Sequence, residues 1–187
     1  MLVHEADIQP FASRVQWPER PASPDAQPVS VIDSGVNDDG VWVEGKGFFK
    51  GTLDDVYETL INPEIMGPTY LTKNITVDDV KKSAVLTTYT MHVKMRYIMS
   101  VEFDIGITID ALYDADENVI GYRYKSTKLS GTRFITRIDE MIVVKKIDDT
   151  WFSVELQSLN EATMNKEKET RQHPESLFRY WSTGQTE

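Results

Sequence analysis

The sequence predicts an α+β fold: a curved antiparallel sheet of about seven strands, two short helices after the first strand, and a C-terminal helix. Three observations carry that expectation. Residues 97–112 alternate apolar and polar side chains over a long run, a period of two that a strand with one buried face explains and a helix does not. Residues 52–62 carry apolar side chains at helical spacing behind a capping signal. Residues 174–181, PESLFRYW, place Leu177, Phe178 and Trp181 on one stripe of a short helix with proline in its first turn.

The chain of 187 residues is long enough for one domain with a sizeable core. Its hydrophobic fraction of 40% and charged fraction of 27% are ordinary for a soluble globular protein. No stretch approaches the roughly 20 apolar residues of a membrane helix, so no membrane insertion is expected. The opening MLVHEADIQPF lacks a basic start followed by an apolar run and does not read as a secretory signal, which favours a cytoplasmic location. A signal already removed is compatible with the same sequence.

Cysteine is missing altogether, so disulfides, thiolate catalysis, zinc–thiolate sites and iron–sulfur clusters are excluded. Asp and Glu number 30 against 20 Lys and Arg, a formal charge of -10. A field of that sign repels phosphate backbones and anionic membrane surfaces, so nucleic acid is not an expected partner.

Five of the eight prolines fall in residues 1–40. The run WPERPASPDAQP cannot sustain a helix or a central strand, because proline lacks the amide donor. Residues 1–40 therefore read as an extended, flexible arm, with Phe11, Val15 and Trp17 as the side chains able to tack it onto the domain at 41–187. Residues 41–50, VWVEGKGFFK, read as a first strand, in which Gly45 and Gly47 mark a bend or a close backbone approach. In the first helix, Thr52 and Asp55 form a capping box, Leu53, Val56, Tyr57, Leu60 and Ile61 share a face, and Pro63 forces the stop. A second helix, PEIMG, follows.

Further along, Val85, Thr87, Tyr89, Met91, Val93 and Met95 form one stripe, and the odd-numbered residues from Tyr97 to Ala111 form another. Ile120, Tyr122 and Tyr124 continue the alternation after the turn at 114–118. Between 133 and 147, Phe134, Ile138, Ile142 and Val144 share a face with Glu140, against Ile135, Met141 and Val143; a bulge is expected there. Phe152, Val154 and Leu156 make the last strand's apolar face. The acid pairs Asp54-Asp55, Asp78-Asp79 and Asp148-Asp149 read as cap or turn chemistry.

This order of elements, with GKGFFKGTLDDVYETLINPEIMG in front of the long strands, resembles the START-like superfamily of helix-grip proteins, which includes birch-allergen-like proteins and polyketide cyclases. The matching motif residues are Val56, Tyr57, Leu60, Asn62, Pro63 and Glu64, and the resemblance spans about residues 41–182. It implies a cup that binds or carries a hydrophobic small molecule: a lipid, isoprenoid, quinone or aromatic polyketide. A cyclase-like enzyme using Glu140 with Tyr124, or a protein-binding module with an exposed apolar groove, are the alternatives. One departure stands out. The superfamily's last helix is long, whereas here Pro174 leaves only about a dozen residues for it, which implies a short lid and a partly open cup.

On that resemblance the candidate ligand-contacting residues are Tyr57, Tyr89, Met91, Tyr97, Phe103, Tyr122, Tyr124, Phe134, Glu140, Phe152, Phe178 and Trp181. The tyrosines either orient a ligand's polar end or simply pack. Glu140 either faces inward, where burial raises its pKa and demands a partner such as Arg137 or Tyr124, or is turned to solvent by the bulge. His4, His92 and His173 are far apart, and no catalytic or metal-binding pattern links them, so neither a metal nor a cofactor is expected.

Overall fold

The computed structural model describes residues 2–8, 13–67, 72–96, 99–163 and 167–184. The long alternating stripes become one sheet. Its strands are Val3–His4 (β1), Val29–Asn37 (β2), Gly40–Lys50 (β3), Thr72–Lys82 (β4), Leu86–Arg96 (β5), Ser100–Tyr113 (β6), Val119–Gly131 (β7), Ile135–Lys146 (β8) and Trp151–Ala162 (β9). They run in the order β2-β3-β9-β8-β7-β6-β5-β4, antiparallel throughout, while β1 pairs parallel with the end of β6. Among the described residues nine strands thus stand where about seven were expected. Pairing of β3 with β9 brings the start and end of the domain together. Two short helices, Leu53–Leu60 (α1) and Pro63–Met66 (α2), carry the chain from β3 towards the opposite edge, and Glu167–Thr183 (α3) packs on the inner face against β3 and β2.

The capping reading holds in atomic detail. Asp55 N–H donates to Thr52 Oγ1 at 3.2 Å and Thr52 N–H donates to Asp55 Oδ2 at 2.8 Å. The hydrogen bonds from Thr52 hold the Asp55 carboxyl below the usual carboxylate range. Asn62 caps α2, whose first residue is Pro63. In β6 the odd-numbered residues from Val101 to Ala111 are buried, as the alternation predicts. Met99 is not: it is 57% exposed, because the strand begins only at Ser100. Tyr97 lies outside the described residues.

Four other expectations change. First, the arm contributes to the sheet. Residues 17–28 form neither helix nor strand, but β2 lies within residues 1–40 and pairs with β3 along nine residues, Val29–Asn37. Proline ends at position 28, so nothing prevents VSVIDSGVN from extending. Val15 is buried, and Glu44 beneath it accepts hydrogen bonds from Ser13 Oγ, Arg14 N–H and Arg14 Nη1 at 3.0, 2.6 and 2.9 Å.

Second, the terminal helix is 17 residues long and contains Pro174 in its interior. Proline costs a helix one N–H bond and a clash with the preceding turn, but Pro174 is buried together with Leu177, Phe178 and Trp181, and that packing outweighs the local penalty. In place of the short lid stands a longer helix packed against β3 and β2, and the space beside it stays partly open. Gly45 allows the approach: a Cβ there would meet the Phe178 ring at 2.9 Å.

Third, the bulge in β8 lies between Ile135 and Arg137, and it brings Ile135 into the core rather than onto the outer face. Fourth, Asp78 and Asp79 sit at a bulge of edge strand β4, not at a turn; Asp79 adopts a φ of 53°.

Candidate functional site

The space between the sheet and the helices is packed solid at one end and hollow at the other. At the packed end, Phe49 is ringed by Phe152, Phe178 and Trp181, with ring centroids 5.8, 5.2 and 5.7 Å away. Beside it, under α1, the Tyr57 ring lies tilted against Tyr122 with centroids 5.3 Å apart, and its hydroxyl meets Thr87 Oγ1 at 2.9 Å. Tyr89 donates its hydroxyl to the carbonyl of Leu60 at 2.9 Å. That carbonyl belongs to the last turn of α1, where the helix itself supplies no donor. Burial pushes the Tyr89 phenol well above its ordinary range, so it stays a donor.

The hollow end lies between the N-terminal half of α3, α2 and the strands β5 to β9. It holds a cavity of about 140 Å³. Met91, Val93 and Met95 of β5, with Phe103 and Ile105 of β6, form one wall. Met66, Ile135, Ile138 and Ala162 add apolar surface from α2, β8 and β9. The polar lining comes from Tyr124 and Ser126 of β7, Glu140 of β8, Ser158 and Asn160 of β9, and Glu169, Thr170 and His173 of α3.

Glu140 faces inward and is buried. Its neighbours across the strands are Ser126 and Ser158. Its partner is neither of the expected ones. Arg137 is engaged with Asp139 at 2.5 Å, and Glu140 Oε1 instead meets His173 Nε2 at 3.3 Å. The side chains of the pair are 6% and 17% exposed. Burial pushes the His173 imidazole down, but the charge of Glu140 and the hydrogen bond to it outweigh that and hold the group above its ordinary range. The other ring nitrogen, Nδ1, is shut off from solvent without a hydrogen-bond partner, and so is Asn160 Oδ1. Tyr124 is fully enclosed; burial raises its phenol strongly, followed by the nearby Tyr89 and Glu140, while its bond to Ser126 works the other way.

Of the sequence candidates, Met91, Phe103, Tyr124 and Glu140 therefore line the cavity. Tyr57, Tyr89, Tyr122, Phe152, Phe178 and Trp181 belong to the packed end, and Phe134 packs against the core from its margin. Sequence reasoning missed Ser158, Asn160 and His173. The first two continue the alternation of Phe152, Val154 and Leu156, so the period-2 pattern already placed them inward. His173 had no such signal, because its placement requires a helix that runs through Pro174.

The other two histidines stand elsewhere. His92 lies on the outer face between Asp104 and Asp78, which raise its pKa, the Asp104 hydrogen bond most of all. His4 contacts the Asp114 carbonyl at 3.2 Å. Among the described residues no helix is long and apolar enough to cross a membrane.

No protein-family model matches the chain, and no curated protein sequence matches it. Solved structures do. A STAR-related lipid transfer protein from Xanthomonas axonopodis superposes with a TM-score of 0.50 at 11% identity, covering 80% of this chain and 93% of that one. The human StarD13 lipid transfer and protein localization domain superposes at 0.56 and 9% identity, covering 88% of this chain and 87% of that one. An aromatase/cyclase from Streptomyces superposes at only 0.38 with 12% identity, too loosely to weigh. The chain has the START-like, helix-grip fold.

Proposed function

We propose that this protein binds a hydrophobic small molecule in the cavity between α3 and the sheet. One observation carries the reading: a partly open, mostly apolar space whose lining includes His173 and Asn160, each of which also carries a buried atom without a partner in the protein. A core optimised only for stability closes such space and pairs such atoms, since each void and each unsatisfied group is costly. Ligand pockets combine the same two features, apolar walls and a few fixed polar groups. The two lipid-transfer structures that share the fold are compatible with the reading.

The volume narrows the ligand. A cavity of about 140 Å³ takes a group the size of a benzene ring, far below the roughly 300 Å³ at which drug-sized pockets begin. A ring, or the end of an isoprenoid or acyl chain, enters as the structure stands. A whole lipid requires α3 to move away from the sheet.

Extraction and mass spectrometry of the protein as purified tests the reading, together with saturable binding of a solvatochromic apolar dye. Val93→Phe fills the cavity from β5 and abolishes binding. Undiminished dye binding by a folded Val93→Phe variant rules the cavity out as the site.

A further inference from the structure

A single row of polar side chains crosses the sheet wall of the cavity. Register sets Ser126 of β7, Glu140 of β8 and Ser158 of β9 directly across from one another, and all three are buried and line the cavity. Such neighbours hold their Cβ atoms about 5 Å apart, so each serine stands beside the carboxylate. Glu140 gives Oε1 to His173 Nε2 at 3.3 Å. Its other oxygen, Oε2, takes no hydrogen bond among the described residues, yet it is not sealed from solvent as His173 Nδ1 and Asn160 Oδ1 are. The Glu140 side chain is 6% exposed and points inward, so that oxygen opens on the cavity. Ser158 Oγ accepts from Asn160 at 3.3 Å and Ser126 bonds Tyr124, which leaves the serines fixed beside Glu140 rather than bonded to it.

What this row lacks is a donor, since a carboxylate only accepts. A ketone or ether oxygen offers it nothing. A ligand carboxylate would meet a like charge, and no lysine or arginine lines the cavity among the described residues. An ammonium carries three donors and no acceptor, and its bond to a carboxylate is stronger than that of a hydroxyl. This step rests on the ligand-binding reading above and deepens it. We infer that the ligand is an amine, with a ring-sized apolar body and an ammonium group that donates to Glu140 Oε2 beside Ser126 and Ser158. His173 then competes for the same carboxylate. The titratable groups around it are Glu140 of β8, Tyr124 of β7 and Glu169 of its own helix, while α2, β4, β5, β6 and β9 add none to the lining. Tyr124 stays neutral, because burial raises its phenol. With His173 charged, imidazolium and ammonium share one carboxylate; with His173 neutral, Glu140 and the ammonium match. His173 sits above its ordinary 6.5, so amine affinity rises as pH climbs through that higher value.

The test titrates the full chain with benzylamine, benzyl alcohol, toluene and benzoate, followed by calorimetry. Runs at about pH 6 and about pH 8 both lie below the range of an aliphatic ammonium, about 10.4 for lysine. An ammonium leaves water far less readily than a hydroxyl or a methyl group, so a plain apolar cavity prefers toluene and takes benzylamine poorly. The inference expects the reverse: benzylamine about tenfold tighter than benzyl alcohol at the higher pH, a smaller margin at the lower, and benzoate weakest. Glu140→Gln removes the charge and nearly keeps the shape, and should bring benzylamine down to the benzyl alcohol level or below it. Should that variant not fold, the comparison on the parent chain decides alone. Toluene or benzyl alcohol binding as tightly as benzylamine, benzoate binding tightest, a margin no smaller at the lower pH, or a folded Glu140→Gln variant that keeps the margin overturns this inference and leaves the cavity reading standing. Failure of all four to bind removes the cavity reading too.

Discussion

The two ends of the interior use similar side chains to opposite effect. At the α1 end, tyrosine hydroxyls find partners within the protein: Tyr89 the Leu60 carbonyl, Tyr57 the Thr87 hydroxyl. Aromatic rings fill the remaining space around Phe49. At the α2 end, methionines and isoleucines stand back around a void, and His173 and Asn160 keep buried atoms unpaired. An inward-facing polar side chain is therefore ambiguous until its partner is known. Where the fold itself supplies the partner, the residue belongs to packing; a missing partner alone does not mark a site, since Trp181 Nε1 at the packed end is also buried without one.

The largest expected contrast is a truncation. Phe49→Ala should cost about 3–5 kcal/mol in urea denaturation, since it opens a void in the aromatic cluster. Met91→Ala borders existing empty space and should lie near the bottom of the range for such changes, about 2 kcal/mol. Equal losses would mean that the two ends are equally well packed.

Enlargement should separate the ends as well. Val144 is fully buried in the core, and Val144→Phe should destabilise by about 1–3 kcal/mol. Val93→Phe grows into the cavity and should cost under about 1 kcal/mol. The opposite order of melting temperatures would misplace the void.

Hydroxyl removal sharpens the comparison further. Tyr89→Phe leaves the Leu60 carbonyl without its donor and should cost about 1 kcal/mol, while dye affinity stays at the parent value. A fall in affinity would move Tyr89 from the packing to the site.

The smallest effect is a pH dependence. His173 is raised above its ordinary 6.5 in the folded protein. The stabilisation from its pairing with Glu140 is therefore complete below 6.5 and lost as pH rises through the higher folded value. Urea midpoints taken from about pH 6 to about pH 9 should fall more in the parent than in Glu140→Gln, which removes the carboxylate. Parallel profiles would show that the pair is not coupled.

Much of this molecule was legible in its sequence, because the signals were local. Thr52 and Asp55 are three positions apart, and a helix start needs nothing else. The inward set Val101, Phe103, Ile105, Ile107 and Ile109 follows from a strand's period of two, which also places Ser158 and Asn160 on the inner face, while Glu140 stayed ambiguous until the bulge was located between Ile135 and Arg137. Gly45 and Gly47 marked a bend or a close approach, though not that the Phe178 ring would be what meets Gly45.

What only the tertiary structure decided concerns residues whose partners lie far along the chain. Propensity ends a helix at Pro174, yet burial of Leu177, Phe178 and Trp181 against the sheet supports one that begins at Glu167. That extension sets His173 beside Glu140, 33 positions away, a pairing that no periodicity could announce. Likewise, β2 exists because β3 offers an edge to pair with, and Tyr89 is a packing residue because a helix carbonyl stands in front of it. Local spacing determined which side chains face inward. Which of those meet a partner and which are left facing empty space depended on how α1, α2 and α3 cover the sheet, since a hydrogen bond or a void is a property of two surfaces brought together.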